Sequence, residues 1–446
     1  MKQKSSPTIL ILYTTLYRTG GPRFEHAAIT LAAEKQAEFP KHQVIRKAVE
    51  SKQDFLAEIA AISRDGGQIA EFHFIGHSGV YGIMFGTTEW PEQFSPYEWK
   101  QMSIPFTQDG SAKFFFHACR TGRWFAPFVA RTLGVKTYGH FWYTTVSKSD
   151  LRFEWHGPRI KPTDPLYVVS CAGKKSHGVL ASMYKYSAKP KVYPMTEFSP
   201  TDERIDSSYD SVAQLYDDTF QDIGVRKDEW DWLTTSMGDL KGKRILDIGC
   251  GNGALLRKLS DRFEGDLEGR GVDASEGMIE QARKGCAGYP GLSFAKVDGP
   301  QLPYPDNSFD CVTSVLSFRY LDWDPILKEI LRVLKPGGEI LVVDMVAAPV
   351  KWKELPRFIK SKSTGYLQRV KEPNFYRTLH RMVTDPRWKQ MLKYNPIRAE
   401  HEMKWYLESR FAGKRANVIN IGWNSRILAF RSGPVTNKAI EPMQFP

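Results

Sequence analysis

A chain of 446 residues exceeds one ordinary domain, and at roughly 150 residues per domain two or three are expected. Its 41% hydrophobic, 13% aromatic and 25% charged residues exclude a mainly disordered, collagen-like or disulfide-scaffold protein. The net charge of +12 is uneven: Lys and Arg outnumber Asp and Glu by 25 to 16 in residues 1–200, are outnumbered 17 to 27 in 201–348, and lead 20 to 7 in 349–446. An acidic middle between two basic parts fits nucleic acid or anionic lipid as partners. It fits a solvated face, or docking onto the acidic middle, equally well.

The first half reads as alternating strands and helices. ILILYTT is a buried strand, Phe24 to Glu38 a helix, KHQVIRKAV a strand and DFLAEIAAIS an amphipathic helix. IAEFHFIG and AKFFFHAC are further strands, WFAPFVARTLG a helix and VKTYGHFWYTT one more strand. Such alternation predicts a parallel sheet covered on both faces. Residues 187–207 are rich in Pro and Ser without periodicity and read as a linker. The predicted domains are therefore 1–186 and 208–446.

The second half restarts the pattern. SVAQLYDDTF and EWDWLTTSM are helical; RILDIGC, GRGVDA, LSFAKVD, FDCVTSVLS and EILVVDMV are strands; ALLRKLSDRF, GMIEQARKGC and PILKEILRVL are helices. Residues 349–412 form a basic, aromatic, helical insertion. ANVINIGW and RILAFRSG, joined at Asn424-Ser425, close the chain as a hairpin.

No uninterrupted apolar run approaches about 18 residues, so no membrane span is expected. The apolar run of MKQKSSPTILILYTT is too short for a signal peptide. Five scattered cysteines without CxxC spacing argue for a reducing compartment and against structural zinc. The expected location is the cytoplasm, and no metal is expected.

In RILDIGCGNG an apolar strand meets Gly249, Gly251 and Gly253 before a helix. Glycines there allow a tight turn and close approach of backbone N–H groups to a ligand. Asp247, Asp273 and Asp298 fall at or near the ends of three successive strands, where ligands bind in open α/β sheets. An adenosine with a cationic end suits that edge.

LDIGCGNG, GVDASEGMIEQAR, VDGPQLPYPDNSFD and LRVLKPGGEILVVD, in this order, resemble the class I S-adenosylmethionine-dependent methyltransferases, nearest the ubiquinone/menaquinone C-methyltransferases. YDSVAQLYDD resembles that group's leading helix. The resemblance implies a Rossmann-like fold, S-adenosylmethionine as cofactor and a small organic acceptor. It implies that Asp247, Gly249, Gly251 and Gly253 surround the methionine part, and that Asp273 binds the ribose. Asp298 with Gly299 would take the adenine, and Leu316 would line the methyl side. No general base stands out; His380 and His401 are the candidates in the insertion. The insertion's aromatic residues read as its own core or as a lid over the acceptor.

His77 and Cys119 follow two strands of the first half. If those strands are parallel neighbours, imidazole and thiol share one edge, the pairing a thiolate nucleophile needs. GHSG and HACRTG resemble the caspase-like cysteine peptidases, in which His77 would be the base-like partner and Cys119 the nucleophile. Ser78 stands where that family often has Gly, which puts the oxyanion donor in doubt. Asp150 and Glu154 are candidates for setting a basic substrate preference. The predicted protein is thus a methyltransferase fused to a caspase-like α/β domain that acts on peptides or is an inactive binding module. A rival reading has the methyltransferase half act on protein or nucleic acid.

Overall fold

The computed structural model describes residues 6–16, 21–79, 82–86, 91–94, 96–172, 179–202, 209–348, 350, 352–395, 398, 400–411, 413–423 and 425–436. The chain divides into two units, Met1–Ile205 and Asp206–Pro446.

In the first unit the strand β1 (Thr8–Thr14) is buried along its whole length, which requires cover on both faces. Helix α1 (Gly21–Glu38) supplies one cover, packing Phe24, Ala27 and Ala28 against Ile9, Ile11 and Tyr13. After β2 (Gln43–Val49), helix α2 (Lys52–Arg64) covers the other face. Ser51 and Asp54 form a reciprocal cap at its start, and Phe55, Ile59 and Ile62 meet Leu10 and Leu12. The sheet continues with β3 (Ile69–Ile75) and β4 (Lys113–His117). Helix α3 (Phe125–Leu133) then leads to β5 (Lys136–Gly139), and β6 (Thr196–Phe198) forms an edge. The order is β2-β1-β3-β4-β5-β6, parallel except for β6.

Two expectations change here. VKTYGHFWYTT is not one strand: β5 ends at Gly139, and Thr144–Ser147 pairs instead with Tyr167–Cys171 in a separate antiparallel sheet. The chain turns away because Gly139 packs on Gly122 so closely that a Cβ at 139 would lie 2.7 Å from the Gly122 nitrogen. The segment 187–207 carries strand β6 and the short strand Val192–Tyr193, so part of it is sheet. Its residues 203–207 lie outside the described ones.

In the second unit, α4 (Ala213–Thr219) and α5 (Lys227–Met237) precede β7 (Lys243–Ile248), α6 (Ala254–Arg262), β8 (Leu267–Asp273) and α7 (Glu276–Gly285). Next come β9 (Leu292–Lys296), β10 (Phe309–Val315), α8 (Trp323–Val333) and β11 (Leu334–Ala347). Four helices fill the insertion: α9 (Leu355–Lys371), α10 (Pro373–Thr384), α11 (Pro386–Tyr394) and α12 (Glu400–Arg410). Strands β12 (Asn417–Ile421) and β13 (Ser425–Arg431) pair antiparallel, although residue 424 of their predicted turn lies outside the described ones. The seven-stranded order is β9-β8-β7-β10-β11-β13-β12, with β13 antiparallel to both neighbours. The order reverses between β7 and β10, which opens a crevice beyond their carboxyl ends. No helix among the described residues is long and apolar enough to cross a membrane.

Candidate functional site

The crevice at the switch point is a small cleft lined by Tyr216, Asp247, Gly249, Gly251, Asn252, Leu316 and neighbouring apolar residues. Its floor is the turn from β7 into α6. Gly249 has φ +71° and stands against Ser317, whose Cβ would lie 2.3 Å from a Cβ at 249. Only glycine fits both that conformation and that contact. Ser317 is held there by hydrogen bonds from its Oγ to the Ile248 carbonyl (2.7 Å) and with Ser314 Oγ (2.8 Å). Leu316 is buried at φ +58° and closes the wall. Behind it the Arg319 N–H donates to Asp344 Oδ2 at 2.6 Å, and the Arg319 guanidinium pairs with the same buried carboxylate.

Two of the three predicted carboxylates of this edge are together, Asp247 in the cleft lining and Asp273 beside the glycine turn. Asp273 Oδ2 accepts the Gly251 N–H and Oδ1 the Ser275 N–H, both at 2.9 Å. Asp247 accepts from Thr313 Oγ1 at 2.7 Å. Burial, reinforced by the nearby charge of Asp273, pushes Asp247 up to about 7 despite that hydrogen bond. Burial also raises Asp273, against the N–H groups that favour its charge. Among the described residues neither makes an ion pair. Buried carboxylate without a countercharge is unstable by itself and suits a cationic ligand. The glycine turn and the N-terminus of α6 leave room for that ligand's backbone contacts. The donor set therefore fits a sulfonium-bearing nucleoside.

Asp298 is not brought into the cleft. It lies two residues beyond β9, is 81% exposed, and approaches Lys296 Nζ at 3.7 Å. Gly299 beside it has φ +113° with open space around it. His380 and His401 are both exposed and outside the cleft lining.

Several site residues escaped the sequence reading. Tyr216 of α4 lines the cleft. Asn252 Nδ2 donates to Asp217 Oδ1 (2.8 Å) and to the Phe220 carbonyl (3.1 Å), clamping α4 to the glycine turn. Asp210 accepts from Ser275 Oγ (2.6 Å) and from the Gly277 N–H (3.0 Å). The acidic residues of YDSVAQLYDD were the available signal. Part of the insertion packs on the leading helices: Met382, Trp388 and Met391 share a core with Val212, Leu215 and Phe220. Of the aromatic positions, the side chains of Trp352 and Tyr394 lie outside the described ones.

In the first unit, Ile75 of β3 and His117 of β4 are register partners, so His77 and Cys119 each follow their strand by two residues at one edge. Ser78 Oγ donates to the Cys119 carbonyl and ties the two segments together. Half-buried Cys119 receives the Thr144 N–H on its sulfur at 3.2 Å, and Thr144 Oγ1 lies 3.2 Å away. The His77 ring meets Phe24 edge-on at 4.8 Å. Asp150 and Glu154 are exposed.

Beneath that edge runs a buried polar chain. Burial disfavours the charge of Glu71, but hydrogen bonds from His73 and Lys35 outweigh it and hold the carboxyl at about 2. Burial lowers His73, and His117 further, from the ordinary imidazole value. The ionised Glu71 can only accept, so His73 Nε2 donates to it at 3.2 Å. His73 Nδ1 must then accept from His117 Nε2, also at 3.2 Å.

Residues 245–338 match the family described as "Methyltransferase domain". A demethylmenaquinone methyltransferase of Clavibacter sepedonicus is 34% identical over 150 residues, which are 33% of this chain and 60% of that protein. A ubiquinone/menaquinone biosynthesis C-methyltransferase UbiE of Teredinibacter turnerae is 36% identical over 154 residues, 32% of this chain and 59% of that protein. This chain thus spans about three fifths of the length of these relatives. A crystal structure of an S-adenosylmethionine-dependent methyltransferase from Aquifex aeolicus overlaps 49% of this chain and 97% of its own, with 19% identity and a TM-score of 0.33. The second unit therefore contains, over residues 245–338, a methyltransferase domain, and its cofactor is S-adenosylmethionine.

Proposed function

We propose that the second unit transfers methyl to a small organic acceptor of quinone type. The observation that carries this reading is the pair of buried carboxylates Asp247 and Asp273 around a glycine turn, without an ion pair among the described residues. The names of the relatives at 34% and 36% identity support the acceptor class. Asp247, Gly249, Gly251 and Gly253 hold the methionine part of the cofactor, Asp273 the ribose hydroxyls, and Leu316 the methyl side. Asp298 and Gly299 take the adenine, approached from solvent. Bound S-adenosylmethionine supplies an electrophilic methyl carbon on a sulfonium. The chain's own work is alignment and exclusion of water: Tyr216, Phe220, Val315 and Leu316 give the cleft apolar walls, and Asp273 fixes the orientation of the sugar. The test is transfer of labelled methyl from S-adenosylmethionine to a reduced, demethylated polyprenyl quinone. Wild type should label the lipid-extractable product, and Asp273→Ala should not. A protein that binds the cofactor but labels only RNA or protein would refute the acceptor class.

A second reading concerns the first unit, in which we infer a caspase-like cysteine peptidase site. It rests on the register that sets His77 and Cys119 at one sheet edge, with an N–H aimed at the sulfur. An electrophilic peptide probe should label the wild type, fail on Cys119→Ala and react more slowly with His77→Ala. Equal labelling of all three would remove the peptidase and leave a binding module.

A further inference from the structure

Helix α9 opens the insertion with an outer face that is exposed among the described residues. Its inner face is anchored: Arg357 donates to the Val418 carbonyl (2.9 Å), Ser361 to Asn420 Oδ1 (3.2 Å) and Gln368 to the Val225 carbonyl (2.7 Å). On the opposite face Leu355, Ile359, Tyr366 and Val370 are 39%, 60%, 69% and 68% exposed. Their spacings of four, seven and four residues put them in one narrow stripe along the helix. Lys362 and Arg369 flank the stripe on one side, and Lys360 and Lys371 on the other. All four are exposed. None of the seventeen residues from Leu355 to Lys371 is acidic. Next to the helix, Trp423 is 67% exposed and touches Phe358, with ring centroids 5.5 Å apart.

A stripe that met another folded protein would ordinarily be rimmed by both signs of charge. An apolar crest between two rows of cations, with an indole at its side, matches instead a surface that is apolar below and anionic above. We propose that α9 lies flat on an anionic lipid bilayer, with Leu355, Ile359, Tyr366 and Val370 in the acyl boundary and the flanking Lys and Arg at the headgroup phosphates. Long cationic side chains reach that level while their stems stay on the apolar side. The inference goes beyond the acceptor reading and does not depend on it, because binding is measured without acceptor or cofactor.

The experiment is co-sedimentation of the full chain with vesicles of phosphatidylcholine alone or mixed equally with phosphatidylglycerol. Wild type should sediment with the mixed vesicles, weakly with the neutral ones, and less as salt rises. Ile359→Asp combined with Val370→Asp should reduce binding roughly tenfold or more. Lys360→Glu combined with Lys371→Glu should abolish the preference for anionic lipid. All four positions are exposed, and unchanged thermal unfolding would show that the variants are folded. Failure to bind anionic vesicles at low salt overturns the proposal. So does equal binding by the Asp variant, or wild-type self-association that the Asp variant loses, since the stripe would then serve a second copy of the chain.

Discussion

Both units bring their candidate site residues to the carboxyl edge of parallel strands, yet they treat buried charge in opposite ways. In the first, Glu71 is buried but paired with Lys35 at 2.8 Å and with His73, and its acidity is strengthened to about 2. In the second, Asp247 and Asp273 are buried without an ion pair among the described residues, and burial drives both the other way. The buried Arg319–Asp344 pair of the second unit shares the pairing of Glu71 but not the direction of its shift, since burial raises Asp344 even beside Arg319, and the pair braces a loop. Buried charge with its partner is architecture; buried charge lacking one is a site prepared for a ligand.

The sharpest break would come at Gly249. Gly249→Val forces a β-branched residue to φ +71° and drives its Cβ into Ser317. The second unit should lose roughly 3 kcal/mol or more of stability and bind no measurable S-adenosylmethionine by calorimetry. A stable variant with normal affinity would show that the glycine turn is not the floor of the site. Next in size is Glu71→Ala, which leaves Lys35 and His73 facing a gap. It should cost the first unit about 3 kcal/mol, seen as faster hydrogen exchange along β3 and β4, with cofactor affinity unchanged. If affinity fell as well, Glu71 would not be purely architectural.

Much of this was legible in the sequence because backbone periodicity and glycine spacing are local properties. The parallel strands of the two large sheets, the glycine turn and the assignment of Asp247 and Asp273 to one edge follow from such patterns. What was not legible depended on contacts between distant segments. Asn252 reaches Asp217, and Trp388 packs on Leu215 and Phe220, across separations that no local pattern encodes. The break after Gly139 needs Gly122 beside it, and the edge strand Thr196–Phe198 reads as a linker until β5 is there to pair with it. Asp298 was legible only in part: its place near the end of a strand assigns it to this edge, but β9 stops at Lys296 and the side chain is exposed, which no local pattern encodes.

The smallest expected effect is the most diagnostic of the contrast. Asp247 is raised from an ordinary 3.8 to about 7, so the folded unit holds its proton more tightly than the unfolded chain does. That contribution to stability is fully present below about pH 4 and is lost as pH rises to about 7. Asp247→Asn can still accept the Thr313 hydroxyl but cannot ionise. The cofactor-free variant should therefore lack this decline and be more stable than wild type at pH 8 by thermal unfolding. Cofactor affinity should move oppositely. A cationic ligand prefers the carboxylate, so wild-type affinity should fall as pH drops below 7, and the variant should bind more weakly with a flatter profile. If Asp247 were architectural like Glu71, the substitution would destabilise the unit at every pH and leave the shape of the affinity profile unchanged.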